Sequence, residues 1–168
     1  MGSKIVLLVV FSVVLITTGQ TLADDAVGPA EKLFAEQDYK KAISHLKKVT
    51  KEDPSNVESW LLMGKCYNAL EKEKKAVEAY TKAVQIRPDH EEANYLLGMS
   101  YSLLKAHVEA IEAFKRVIEI NPENVHAHFA LGVSCDQIGR LSDAFEQYKI
   151  LRTLDPKLAD DLRAVIMD

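Results

Sequence analysis

The sequence predicts an all-α fold made of antiparallel helix pairs, because several residue types recur in one register. Pro54, Pro88, Pro122 and Pro156 follow one another at intervals of 34 residues. Alanines, glycines and aromatic residues keep the same interval: Ala42, Ala76, Ala110 and Ala144; Gly64, Gly98 and Gly132; Tyr80, Phe114 and Tyr148. A fixed period of this length is typical of proteins in which short helical units stack into a solenoid.

Each unit between prolines contains two stretches with helical spacing of apolar residues. In the first unit these are Trp60, Met63, Tyr67 and Leu70, followed by Ala76, Val77, Tyr80 and Val84. Spacing of three and four places these residues on one face of a helix, so each unit is predicted to hold two helices. Since proline cannot continue a helix, the second helices are expected to end near Ile86, Ile120 and Leu154.

Two local signals predict how the first helices begin and pack. Ser55 with Glu58, and Asp89 with Glu92, have the spacing of an N-cap pair. The recurring glycines fall inside these helices, where glycine costs about 1 kcal/mol relative to alanine. A close approach of the partner helix would explain why glycine is present despite this cost. The expected contacts are the small residues Ala76, Ala110 and Ala144.

The segment WLLMGKCY, from Trp60 to Tyr67, together with Ala76, Tyr80 and Pro88, resembles the tetratricopeptide repeat (TPR) pattern. The last unit departs from it, with His128 in place of the tryptophan and Cys135 in place of the tyrosine. The resemblance covers residues 28–158 and implies a right-handed superhelical solenoid of antiparallel helix pairs.

The register divides the chain into six segments. We expect a signal peptide at 1–23, a degenerate repeat at 24–56 with its first helix starting at Pro29, full repeats at 57–90, 91–124 and 125–158, and a C-terminal capping helix at 159–168. A capping helix is expected because an open array must cover the apolar face of its last unit.

The N-terminal segment has the features of a secretory leader. The apolar run from Ile5 to Ile16 is shorter than the about 20 residues of a membrane-spanning helix. A polar stretch ending in Ala23 follows, which predicts cleavage before Asp24 and export to the periplasm or the exterior. An uncleaved short anchor is the alternative.

The charge balance argues against a nucleic-acid partner. The net charge is −4, whereas phosphate binding is driven by clustered Lys and Arg. The one basic concentration, Lys40 to Lys48, is interpreted as the solvated face of an amphipathic helix. The protein is therefore expected to bind protein or peptide partners, without stable membrane insertion once the leader is removed.

No metal, cofactor or catalytic site is expected. His126 and His128 lie two positions apart, about 200° around a helix, so they cannot chelate one ion. His128 is expected to pack in the core and His126 to face a groove. Cys66 and Cys135 lie two units apart, so we expect both to be buried and reduced. The sequence contains no Gly-rich phosphate loop and no nucleophile motif.

The TPR resemblance implies a concave groove lined by the first helices. The residues expected to face it are Glu58, Leu61, Lys65, Asn68, Glu92, Tyr95, Met99, Ser102, His126, Phe129, Val133 and Asp136. Their apolar members form a stripe flanked by carboxylates. The alternative is that Tyr95 and Phe129 only pack between adjacent helices. Because Lys65 and Asn68 alone resemble a carboxylate clamp, an apolar or mixed segment is the expected ligand.

These features predict a non-catalytic scaffold or adaptor of the cell envelope that binds a peptide or helix of a partner in its groove. Two alternatives remain open from the sequence. One is a structural protein whose repeats self-assemble into oligomers. The other is an accessory module that delivers unfolded clients to an envelope assembly or cytochrome-maturation enzyme.

Overall fold

The structure, a computed structural model, describes residues 26–167, and every regular element in that range is a helix. The helices are α1 (26–35), α2 (Tyr39–Glu52), α3 (Val57–Ala69), α4 (Glu73–Ile86), α5 (Glu91–Leu103), α6 (His107–Ile120), α7 (Val125–Gln137), α8 (Leu141–Leu154) and α9 (Pro156–Met167). The predicted all-α class is confirmed. The predicted leader and its cleavage site lie outside the described residues.

The helices pack as consecutive hairpins. α3 pairs with α4, α5 with α6 and α7 with α8, and each helix also packs on the next one along the chain. α9 packs on both α7 and α8, where Leu151, Ala159 and Leu162 form a small buried cluster. Helix α1 includes residues 26–28, so the expected start at Pro29 was wrong.

The first helices are capped one residue later than predicted. Asn56 Oδ1 accepts from the backbone N–H of Ser59 at 2.8 Å, and Asn124 Oδ1 accepts from Ala127 at 2.9 Å. His90 caps α5 in the same way through Nδ1. Ser55 instead donates both its N–H and its hydroxyl to the Asp53 carboxylate. The Asp53 carboxylate thus holds Ser55 in a turn before the helix, so Ser55 does not cap α3.

The turns inside the hairpins share one backbone conformation. Gln37, Glu71, Lys105 and Gly139 have φ values of 61°, 54°, 59° and 74°, and they are 34 residues apart. At each turn the next residue donates its N–H to the carbonyl five residues back, as Lys72 does to Tyr67 at 2.9 Å. This is the Schellman motif, which satisfies the last carbonyls of the first helix. Only Gly139 adopts the left-handed conformation without steric cost.

Two of the recurring glycines, Gly64 and Gly98, lie closest to aromatic rings, and the third, Gly132, lies closest to Leu162, so the alanines expected from the sequence are not the nearest neighbours. A Cβ added at Gly64 would lie 2.4 Å from the Tyr80 ring, and one at Gly98 would lie 2.6 Å from the Phe114 ring. Both rings are fully buried. In these two hairpins the space left by the missing side chain of the first helix is thus filled by an aromatic ring from the second helix.

Candidate functional site

Helices α3, α5 and α7 present the surface on which the twelve predicted groove residues were placed, and we call this surface the groove. Four of these residues are exposed: Glu58, Glu92, Met99 and His126. Seven are half-buried: Lys65, Asn68, Tyr95, Ser102, Phe129, Val133 and Asp136. One, Leu61, is only 4% exposed and belongs to the core cluster that also contains Val27 and Val57. Leu61 is therefore unavailable to a ligand, and the apolar stripe is confined to α5 and α7.

An apolar cavity of about 300 Å³ lies between α5 and α7. Five predicted residues line it, namely Tyr95, Met99, Ser102, Phe129 and Val133. His107, Ala130 and Ser134 also line it and were not predicted. The sequence pattern did not predict them because none of the three occupies a regular groove position: Ala130 and Ser134 are small residues of α7, and His107 begins α6. We call this the apolar cavity.

Tyr95 has two roles. Its ring centroid lies 5.8 Å from that of Phe114, so it packs on the core. Burial also raises the pKa of its phenol above the usual range. The same side chain lines the apolar cavity. Tyr95 therefore packs on the core with one part of its side chain and lines the cavity with another.

A second cavity of about 330 Å³ adjoins the first and shares Tyr95 with it. Its other lining residues are Glu91, Glu92, Asn124 and His126, and we call it the acidic cavity. Glu91 Oε1 accepts hydrogen bonds from the amides of Asn121 at 3.0 Å and Asn124 at 2.6 Å. These amides fix the carboxylate without neutralising it, and Glu91 has no ion-pair partner within residues 26–167.

The cationic and amide side chains of the groove are engaged with other groups of the chain. Lys65 Nζ pairs with Glu92 at 2.7 Å, and the Asn68 amide lies 3.1 Å from Ser100 Oγ and 3.3 Å from the Tyr80 hydroxyl. Both residues therefore connect α3 to its neighbours. Their donors are not free for a ligand carboxylate, which argues further against a carboxylate clamp.

The histidines and cysteines occupy the environments expected from the sequence. His128 is 3% exposed, whereas His126 is exposed and lines the acidic cavity. Cys66 and Cys135 are buried free thiols, and burial raises the pKa of Cys66 to about 11. Within the described range, no cluster of three His, Cys, Asp or Glu side chains has an arrangement that would hold a metal ion.

None of the helices described is both long and apolar enough to cross a membrane.

Comparison with solved structures finds other solenoids of this kind. The chain is 28% identical to MamA over 82% of this chain and 90% of that one, with a TM-score of 0.72. MamA 41-end from Desulfovibrio magneticus RS-1 gives 20% identity, 86% and 93% coverage, and a TM-score of 0.73. YrrB, described as a TPR protein with an unusual peptide-binding site, gives 23% identity, 78% and 68% coverage, and a TM-score of 0.72.

Comparison with protein families identifies the repeat. Residues 17–164 match the family described as the cytochrome c-type biogenesis protein H TPR domain. No curated protein sequence matches the chain significantly. The family match spans most of the chain and agrees with the helix pairs, the proline register and the glycine contacts, so the chain belongs to the tetratricopeptide repeat family, in the group of the cytochrome c-type biogenesis protein H TPR domain.

Proposed function

We propose that the protein is a non-catalytic scaffold that binds a peptide or helix of a partner protein in the groove. The observation that carries this proposal is the pair of adjoining cavities that share Tyr95. Binding sites are typically concave and apolar with a few placed polar groups. The apolar cavity supplies the concave surface, and the acidic cavity supplies the polar groups beside it.

The two cavities define the chemistry of the bound segment. An aliphatic or aromatic side chain fits the apolar cavity, where its full burial contributes about 1.5–3 kcal/mol. A Lys or Arg on the same segment fits the acidic cavity, because the Glu91 carboxylate is held by amides and lacks an ion pair with a described residue. The proposed ligand is therefore a mixed apolar and cationic segment.

Two features support a role without catalysis. The buried thiols have raised pKa values, which suppresses the thiolate needed by a nucleophile. The groove carboxylates Glu58 and Glu92 pair with Arg87 and Lys65 at 3.2 and 2.7 Å, as expected of charges that hold one repeat together and join it to the next.

We place this scaffold in the cell envelope. The predicted leader supports export, and the family match to a cytochrome c-type biogenesis domain is consistent with it. Mass spectrometry of the protein from its own cells should find an N-terminus at Asp24. Recovery of the intact leader would contradict cleavage.

Selection from a random peptide library displayed on phage tests the groove proposal. Enriched peptides should combine an apolar residue with Lys or Arg, and photo-crosslinks from them should map to α5 and α7. Glu91→Gln should lower the affinity for the enriched peptides by up to about fivefold, as expected for the loss of one exposed ion pair. The matched control is Glu112→Gln, which removes the same charge from an exposed position on α6. Crosslinks that map outside α5 and α7 would contradict the proposal.

The family match also favours a narrower function, in which the bound segment belongs to an unfolded client delivered to an enzyme of cytochrome maturation. Competition with the selected peptide distinguishes this function. An unfolded apocytochrome c should displace the peptide, and folded holocytochrome c should not. If both forms of the cytochrome displace the peptide equally, or if neither form displaces it, the client-delivery function is contradicted and the general scaffold function is unaffected.

A further inference from the structure

A third cavity, of about 580 Å³, lies between α2 and α4, over the face of α3 that points away from the groove. Its floor includes Met63 and Tyr67, which are about 200° around the helix axis from the groove positions Leu61 and Lys65. We call this cavity the outer cleft. It is therefore separate from the site described above.

The floor of the outer cleft is apolar and fixed in place. Trp60, Met63 and Tyr67 of α3 form it. The indole Nε1 of Trp60 donates to the Pro54 carbonyl at 2.9 Å, which satisfies the polar edge of the ring and sets its orientation. A ligand that covers this floor needs an apolar side chain.

The rim of the outer cleft is cationic. Lys47 from α2 and Lys75 and Lys82 from α4 line it, against the single carboxylate of Glu78. The three ammonium groups make no ion pair with any residue between 26 and 167. Lys75 Nζ lies 5.9 Å from the centroid of the Tyr67 ring, so one cation is held above the apolar floor. The rim thus carries positive charge that the described chain leaves without a carboxylate partner.

This combination occurs once in the repeat register. One repeat later, the positions of Lys47, Lys75 and Lys82 are occupied by Thr81, Glu109 and Arg116. The Trp60 position is occupied by Asn94, whose amide donates to the Pro88 carbonyl at 3.0 Å and whose side chain is 2% exposed. The indole occupies the tryptophan position of the TPR pattern and has a structural bond of its own, but the three lysines beside it are specific to this repeat and have no such role in the fold.

We propose that the outer cleft is a second binding site, which takes an acidic segment of a partner protein carrying an aliphatic or aromatic side chain. The apolar side chain covers Trp60 and Tyr67, and the flanking carboxylates pair with the rim lysines. The site works independently of the groove, whose preference is for cationic segments. A scaffold with both sites holds two partners of opposite charge on its two faces.

Trp60 is the only tryptophan of the chain, so its fluorescence reports on the outer cleft directly. The probe is a synthetic tryptophan-free peptide of glutamates with leucine at every fourth position. Binding should shift the Trp60 emission to shorter wavelength and protect it from acrylamide quenching. A peptide with glutamine in place of each glutamate should bind much more weakly. Added salt should weaken binding of the glutamate peptide, because charges at exposed positions are screened over about 8 Å at physiological ionic strength.

Two triple variants separate a built site from general attraction. Replacing Lys47, Lys75 and Lys82 by glutamine should lower the affinity for the glutamate peptide by about tenfold or more, as expected for the loss of three exposed ion pairs. The matched control variant has glutamine in place of Lys40, Lys48 and Lys51, which are exposed on α2 but do not line the cleft. Equal losses in both triple variants, or an unchanged Trp60 signal at saturation, would overturn the proposal. Light scattering that shows self-association lost in the first variant would assign the cleft to a second copy of the chain and also overturn it.

Discussion

His128 Nε2 lies 2.8 Å from the carbonyl oxygen of Pro122. The corresponding residues of the two preceding repeats make the same bond: Trp60 Nε1 donates to Pro54 at 2.9 Å, and Asn94 Nδ2 donates to Pro88 at 3.0 Å. A carbonyl only accepts, so the His128 Nε2 carries the proton. Three different side chains thus connect the first helix of each repeat to its proline junction, which explains how a histidine replaces the tryptophan of the TPR pattern.

His128→Leu should destabilise the protein by about 1–3 kcal/mol. The substitution leaves the Pro122 carbonyl without this donor and removes the 2.7 Å contact between His128 Nδ1 and the buried Gln147 side chain. The control is His126→Leu on the same helix, which is exposed and should change stability by less than about 0.5 kcal/mol. Chemical denaturation measures both. Equal effects would show that the His128 hydrogen bonds do not stabilise the fold.

Gly98→Ala should destabilise the protein, although alanine is the better helix former by about 1 kcal/mol. The new Cβ would lie 2.6 Å from the buried Phe114 ring, and overpacking of this kind costs about 1–3 kcal/mol. Gly28→Ala is the control, because a Cβ there meets nothing within 4 Å, and it should leave stability unchanged or raise it. A higher melting temperature for Gly98→Ala would contradict the close contact.

Asn56→Ala should cost about 1 kcal/mol, because the Asn56 side chain caps the N-terminus of α3. Ser55→Ala should cost less, since the Ser55 hydroxyl bonds only to Asp53 in an exposed turn. Urea denaturation of the two variants compares them directly. A larger loss for Ser55→Ala would restore the cap position predicted from the sequence.

The cysteine thiols should react slowly in the folded protein. With a pKa of about 11, roughly a thousandth of Cys66 is thiolate at pH 8, against about a quarter of a free cysteine. Modification by an iodoacetamide reagent should therefore be at least about a hundredfold slower in the folded state. Rapid labelling of Cys66 at pH 8 without unfolding would show that the thiol is accessible.

The same pKa shift predicts the direction of a stability change. Because the folded pKa of Cys66 is raised, the unfolded thiol releases its proton first as the pH rises. Stability from this group is complete below the unfolded pKa of about 8.5 and is lost as the pH rises towards 11. Cys66→Ala should reduce the decline in stability between about pH 9 and 11, and an unchanged decline would contradict the shift.

The fold follows closely from the sequence because the period fixes which positions are buried together. The prolines, alanines and apolar residues identified the helix pairs without knowledge of contacts. The period indicates that the partner helix approaches Gly98 closely, but it does not identify the Phe114 ring as the neighbour. Capping positions depend on how the Asp53 turn folds, which the spacing of residue types does not determine.

The sites were predicted less well because a cavity is a property of several helices together. Leu61 occupies a groove position in the register, yet it belongs to a core cluster that includes Val27 of α1. The basic stretch of α2 was interpreted as a solvated face, and Lys47 proves to line the outer cleft opposite α4. A single helix contains no information on the gap between it and its neighbour.

The most direct test of the groove is to measure, by isothermal titration calorimetry, how tightly the library-selected peptide binds to the Met99→Glu and Leu103→Glu variants. Met99 is 38% exposed and lines the apolar cavity, whereas Leu103, on the same helix, is 63% exposed and does not line it. Both substitutions add one charge at an exposed position, so both variants should stay helical by circular dichroism. We expect Met99→Glu to lose at least about tenfold in affinity, the loss of about 1.4 kcal/mol of apolar contact, and Leu103→Glu to bind as the wild type does. Full binding by a helical Met99→Glu variant, or equal loss in both variants, would contradict the assignment of the groove as the binding site.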